Sequence, residues 1–118
     1  MDRTNTRKLT VFGTLIIVLS FCYDVSSQDY RILVTNDDGI DSPLLHNLVA
    51  NLASLSEVEV VVAAPDQNQS GSSQSSIGGP LVVEKVSLNG AAEAYSISGR
   101  PADAVRFAVV QLQHQNKF

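Results

Sequence analysis

A chain of 118 residues, 44% hydrophobic and 17% charged, holds material for one small domain with one buried core. That balance excludes both an acidic, aromatic-poor disordered chain and a membrane protein of several spans. With a formal net charge of −4 and no basic stripe, the electrostatic footprint needed to bind duplex nucleic acid is missing.

The chain opens on a basic head, Arg3, Arg7 and Lys8, followed by an apolar run over residues 9–22. About 14 apolar residues suit a signal peptide, whereas a spanning helix needs about 20. Val25-Ser26-Ser27 offers the small residues of a cleavage site, so residues 1–27 are expected to be a signal peptide, with an uncleaved single anchor as the alternative. The domain at 28–118 is then expected to be exported, either secreted or periplasmic, with no membrane partner beyond that segment. Cys22 lies inside the apolar run, so cleavage leaves the exported part without a thiol.

Residues 31–35 form a short run without polar interruption, as expected of a strand covered on both faces of a parallel sheet. Asn36-Asp37-Asp38-Gly39 ends it. Ser42 as N-cap and Pro43 at the first helical position then open a helix whose apolar residues Leu44, Leu45, Leu48, Val49, Leu52 and Leu55 recur at helical spacing. Residues 58–64 read as a second buried strand closed by Pro65-Asp66, giving a β-α-β start. From Pro65 to Pro80 the composition turns to Gln, Asn, Ser and Gly, which is long for a connection inside a small domain. Residues 81–86 and 94–98 follow as an antiparallel pair, and Pro101-Ala102-Asp103 opens a last helix. Its expected buried stripe is Val105, Ala108, Val109 and Leu112, with Asp103 placed for the helix dipole. Tyr95 and Phe107 read as core residues, and His46 and His114 as surface ones.

Ligands of open parallel sheets bind beyond the carboxyl ends of the strands, which is where Asn36-Asp37-Asp38-Gly39 falls. Taken by spacing alone this is a turn, with Asp38 tolerant of a left-handed conformation and Gly39 of positive φ. Its other reading is a site for a hard divalent ion, which would relieve two adjacent carboxylates that have no basic neighbour in sequence. The second strand brings the serine-rich segment to the same edge. By composition it is a flexible linker; by position its hydroxyls and N–H groups suit a metal and a phosphate.

Three blocks in this order resemble the SurE family (survival protein E): Ile32-Leu33-Val34-Thr35-Asn36-Asp37-Asp38-Gly39-Ile40-Asp41-Ser42-Pro43, then Val62-Ala63-Ala64-Pro65-Asp66-Gln67-Asn68-Gln69-Ser70-Gly71-Ser72-Ser73, then Ser98-Gly99-Arg100-Pro101-Ala102-Asp103-Ala104-Val105. The resemblance covers essentially all of residues 30–110. It implies a Rossmann-like three-layer α/β/α fold and metal-dependent hydrolysis of phosphate monoesters, as in a 5′/3′-nucleotidase or acid phosphatase. The substrate class is nucleoside monophosphates, and the cofactor one divalent ion, Mg²⁺ or Mn²⁺. Asp37 and Asp38 match the family's metal-binding, catalytic aspartates and Ser70 its metal-binding serine. Asn36, Ser72 and Ser73 are matched to the phosphate-binding side. By the same resemblance the full-length enzyme is a homo-oligomer.

Two departures qualify the match. Arg100 stands where the family usually has Thr, and is read here as a surface charge. The family's fourth ligand, an asparagine in a Gly-x-Asn-x-Gly-type block, has no counterpart before Phe118, so the chain is expected to be the amino-terminal portion of a larger enzyme, incomplete at its carboxyl end. The alternative function is therefore a truncated fragment that binds metal or phosphate without turnover. The implied mechanism uses a metal-positioned water attacking phosphorus in line; a phospho-aspartate on Asp37 is the lesser option.

Overall fold

The computed structural model describes residues 30–112, so the expected signal segment, Cys22 and His114 lie outside the described residues. Strand β1 (Tyr30–Val34) leads through α1 (Pro43–Ala53) to β2 (Val58–Pro65); β3 (Val83–Val86), β4 (Glu93–Ile97) and α2 (Pro101–Phe107) follow, and α2 continues as a π-helical turn over Ala108–Leu112. Among the described residues no helix is long and apolar enough to cross a membrane.

The four strands form one sheet in the order β1-β2-β4-β3. β1 pairs in parallel with β2 and β2 with β4, while β3 runs antiparallel along β4. The expected hairpin is thus present, and its second strand is inserted beside β2 as a third parallel strand. Side chains alternate across a strand, and in β2 this alternation divides one apolar run between two cores. Val60, Val62 and Ala64 join Val34, Leu45 and Val49 under α1; Val61 and Ala63 join Ile97, Ala104, Ala108 and Leu112 under α2. Each valine so buried contributes roughly 1.5–3 kcal/mol of apolar transfer. The result is the three-layer α/β/α arrangement expected.

The helices bury narrower stripes than the sequence pattern suggests. In α1 Leu45 and Val49 are buried, but Leu44 and Leu48 are exposed, at 74% and 48%, and Leu55, just past the helix end, is exposed at 55%. A single helix over one sheet face covers one i, i+4 row, and the flanking leucines stay outside it. In α2 the buried positions are Asp103, Ala104, Ala108 and Leu112, not Val105 and Val109. With Asp103 turned inward the helix presents Ala104 to the sheet, and the two valines are rotated out. Tyr95 and Phe107 are only partly buried, and pack edge-to-face with ring centroids 5.3 Å apart. The first hairpin strand begins at Val83, two residues later than expected, because the Val82 N–H is taken by Ser98 Oγ at 2.7 Å.

Candidate functional site

Because β1, β2 and β4 are parallel, their carboxyl ends lie along one edge, and the three sequence blocks meet there. The backbones are stitched together: Ile40 N–H donates to Pro65 O at 2.8 Å, Gln69 N–H to Asp37 O at 2.6 Å, and Asp66 N–H to Ile97 O at 2.9 Å. Parallel pairing alone therefore converts three separated stretches of sequence into one surface.

The turn after β1 is closed by its own side chain. Asn36 Nδ2 donates to Gly39 O at 3.0 Å, and Gly39 N–H donates to Asn36 Oδ1 at 3.2 Å, so both ends of the amide are engaged. Gly39 has φ +100°, and a Cβ there would stand 3.0 Å from the backbone carbon of Gln67 and 3.3 Å from Asn68 N. Only glycine satisfies both the dihedral and the space. The left-handed residue of this turn is Gly39 alone; Asp38 keeps negative φ, contrary to its expected tolerance being used.

This turn holds Asp37 and Asp38 out into solvent, with neither paired to a Lys or Arg among the described residues. Asp38 Oδ1 accepts a hydrogen bond from Asn68 Nδ2 at 3.3 Å, and Asn68 Oδ1 accepts the Ser70 N–H at 2.9 Å. One asparagine side chain thus links the second aspartate to the serine that sequence matching singles out. Asn68 escaped the sequence reading, although an Asn two residues before a turn residue is the signal of an Asx turn, its side-chain oxygen accepting the N–H two positions on.

Ser72 and Ser73 lie further along the same loop, and among the described residues no hydrogen bond joins either to an aspartate. The Ser72 N–H donates to Gln69 O at 3.0 Å, while its Oγ is shut off from solvent with no partner. Ser73 sits at φ +53°, sparsely populated for a residue with a Cβ. Arg100 does more than the expected surface charge would, because its Nη1 donates to Ser75 Oγ at 2.7 Å. His46 lies on the exposed side of α1 with its Nε2 2.9 Å from Ile40 O.

Chemically, the edge offers two carboxylates, a serine hydroxyl and neighbouring amide oxygens. These are the hard oxygen donors that Mg²⁺ or Mn²⁺ takes, and the acidic part of the set is limited to the pair: no group of three or more His, Cys, Asp or Glu that could hold a metal occurs among the described residues. An apolar groove of about 480 Å³ lies elsewhere, between Leu81, Val83, Phe107 and Val110. It contains neither aspartate; Arg106 and Gln111 are the polar side chains that line it.

Comparison with known proteins identifies the family. The family model described as Survival protein SurE matches residues 32–118. The chain is 38% identical over 89 residues to the 5′-nucleotidase SurE of Vibrio parahaemolyticus, covering 75% of this chain and 32% of that protein. To the protein of the same name from Clostridium kluyveri it is 40% identical over 85 residues, covering 70% and 34%. A Clostridium botulinum relative, also named 5′-nucleotidase SurE, is 43% identical over 87 residues, with 73% and 34% covered. The chain spans about a third of the length of the curated relatives it matches.

Proposed function

The chain belongs to the SurE family, and on that footing we propose that its strand-end edge is the amino-terminal part of a metal-dependent phosphomonoester hydrolase site acting on nucleoside monophosphates. The observation that carries this reading is the Asn68 bridge, which brings Asp38 and the Ser70 segment together across 30 residues of sequence. The relatives named 5′-nucleotidase support the substrate class.

In this reading Asp37, Asp38 and the Ser70 hydroxyl hold one divalent ion, Mg²⁺ or Mn²⁺. When bound, that ion supplies Lewis-acid polarisation of a phosphoryl oxygen and lowers the pKa of a bound water. The protein groups do the rest. Asp37 and Asp38 act as catalytic carboxylates that orient the attacking water by accepting hydrogen bonds from it; the proton it gives up as the new P–O bond forms ends on the leaving nucleoside oxygen. The Ser72 and Ser73 hydroxyls and loop N–H groups donate to the phosphate oxygens, where charge grows as the ester P–O bond breaks. The partnerless Ser72 Oγ favours such a use, since a buried hydroxyl without a hydrogen bond is costly until a ligand supplies one. Asn36 fixes the turn that aims the aspartates. One Nδ2 hydrogen and the Oδ1 of its amide are spent on Gly39, which leaves the second Nδ2 hydrogen for a phosphate oxygen.

A second reading rests on the small acidic set, two carboxylates with no third His, Cys, Asp or Glu grouped with them among the described residues: the chain binds metal and phosphate but does not turn over. The two separate on one experiment. Phosphate release from a panel of nucleoside monophosphates is measured with and without Mn²⁺, beside the Mn²⁺-induced rise in melting temperature, for the wild type and Asp38→Asn. Metal-dependent release lost in Asp38→Asn establishes the hydrolase. A melting shift without release, also lost in the variant, establishes the binding fragment. Neither response in a folded wild type sinks both. We also propose export through the segment 1–27, and assembly as a homo-oligomer of the full-length enzyme.

A further inference from the structure

The segment 67–80 carries the hydroxyls of the candidate site, but its Ser, Gly and Gln content is that of a flexible connection. Its leading end is held by the turn after β1, through the Gln69 N–H and Asn68. Its closing end is held by a different element. Asp103, in the first turn of α2, has no exposed surface, and its Oδ2 accepts two backbone N–H groups: Arg100 at 3.1 Å and Ile77 at 3.0 Å. Oδ1 stands 3.3 Å from Arg106 Nη2. A carboxylate taken wholly out of water needs such a set of donors, and here it has them.

A helix cap accounts for only part of this. The bond to the Arg100 N–H closes the first turn of α2, as a capping carboxylate does. The bond to Ile77 reaches back 26 residues to the serine segment and does nothing for the helix. A second tie runs beside it, from Arg100 Nη1 to Ser75 Oγ, and Ser75 Oγ in turn donates to Ser72 O. The packing is cut to admit the carboxylate: a Cβ on Gly99 would lie 2.9 Å from Asp103 Cβ and 3.1 Å from its Oδ2.

We propose that Asp103 is a positioning residue of the candidate phosphate site. It fixes the closing end of the serine loop through Ile77 and thereby sets where Ser70, Ser72 and Ser73 stand relative to Asp37 and Asp38. The consequence for ligand binding rests on the functional reading above; the tie itself does not. Between the anchors at Gln69 and Ile77 the chain turns on left-handed residues at Gly71 and Ser73 and has no regular structure, so its order is borrowed from its ends. Releasing one end lets the hydroxyls move by more than a catalytic site tolerates.

Hydrogen exchange on the full chain tests this, comparing wild type, Asp103→Asn and Ile77→Pro. The last deletes the same bond from the loop side and leaves the carboxylate and the α2 cap in place. Both variants are expected to speed exchange across residues 69–77 by about tenfold, the scale of one hydrogen bond to a charged group, with β1, β2 and α1 unchanged. Arg106→Gln, which removes the third partner only, is expected to exchange as wild type in the loop. Unchanged loop exchange in Ile77→Pro, with faster exchange in Asp103→Asn confined to α2, overturns the proposal and leaves Asp103 a helix cap. In a second arm inorganic phosphate is titrated in the presence of Mn²⁺, and slowing of loop exchange reports its binding. Ile77→Pro is expected to need about tenfold more phosphate than wild type, the same hydrogen bond now read through binding. Equal affinity of the two proteins overturns the positioning role. No phosphate effect on the wild-type loop breaks the functional reading instead, and the exchange arm alone then decides the tie.

Discussion

Two connections leave the parallel strands at the same edge, and they are ordered by opposite means. The turn after β1 is short and closes on itself: Asn36 uses both ends of its amide on Gly39, and a glycine occupies the one position that needs positive φ. The segment after β2 is long and closes on others: Asp37 O, Asp38 Oδ1, Asp103 and Arg100 each take one of its groups. The first therefore presents its carboxylates from a rigid base. The second presents its hydroxyls from a frame that the first connection and α2 hold up. A site built in this way has a fixed half and a half that can yield to a ligand, and damage to the fixed half propagates to the other.

Gly39→Ala breaks the difference most severely. The new Cβ meets Gln67 backbone at 3.0 Å, and backbone cannot step aside as a flexible side chain can. The unfavourable dihedral alone costs roughly 1–3 kcal/mol, and the clash adds to it. The expected result is a large fall in stability in urea together with faster hydrogen exchange in both connections, since the contact that fails is the one between them. A stability within error of wild type would show that the two connections do not depend on each other.

Asn68→Ala is gentler and sharpens the comparison. Its bonds to Asp38 and to the Ser70 N–H are at the surface, so global stability is expected to fall by about 1 kcal/mol or less. Local order around Ser70 is expected to drop while the turn at residues 36–39 keeps its protection, because that turn is closed by Asn36. Exchange that rises equally in both connections would mean that the fixed half is not self-sufficient.

How much of this was legible follows from the same contrast. β1, α1, β2 and the hairpin were readable because period-2 and helical spacing act locally, and the run at residues 58–64 declared a strand buried on both faces. The edge position of Asp37, Asp38 and Ser70 was also accessible, since strand ends in parallel sheets gather there. What was not legible was partnership across distance. Asp103 looked like a helix-dipole residue because its partner, the Ile77 N–H, lies in a segment without pattern. Arg100 looked like a surface charge for the same reason, its acceptor being one serine among several. The stripe of α2 was misread towards Val105 and Val109 because a buried carboxylate, which no hydrophobic pattern reveals, sets which side of the helix faces in.

The smallest expected effect comes from the sheet between the connections and serves as their reference. Tyr95 on β4 donates its hydroxyl to Glu93 Oε2 at 2.7 Å; partial burial, that hydrogen bond and the neighbouring negative charge, in this order, push the phenol up to about 12 from 10.0. A raised folded-state value leaves stability constant below the unfolded value and removes it above. Between about pH 10 and 12 the unfolded phenol ionises while the folded one keeps its proton, so the unfolded state gains and stability declines as pH rises through that window. Tyr95→Phe removes this contribution. The difference between the urea-unfolding curves of wild type and Tyr95→Phe is therefore expected to be flat up to about pH 10 and to shift steadily against the wild type above it. Because the hydrogen bond and ring contacts of Tyr95 go to Glu93, Phe107 and Lys85, loop exchange at neutral pH is expected to be the same in both proteins. If the variant loosens the serine loop at neutral pH, the loop takes its order from the sheet as a whole, and the distinction between a self-closed turn and a loop held at named points fails.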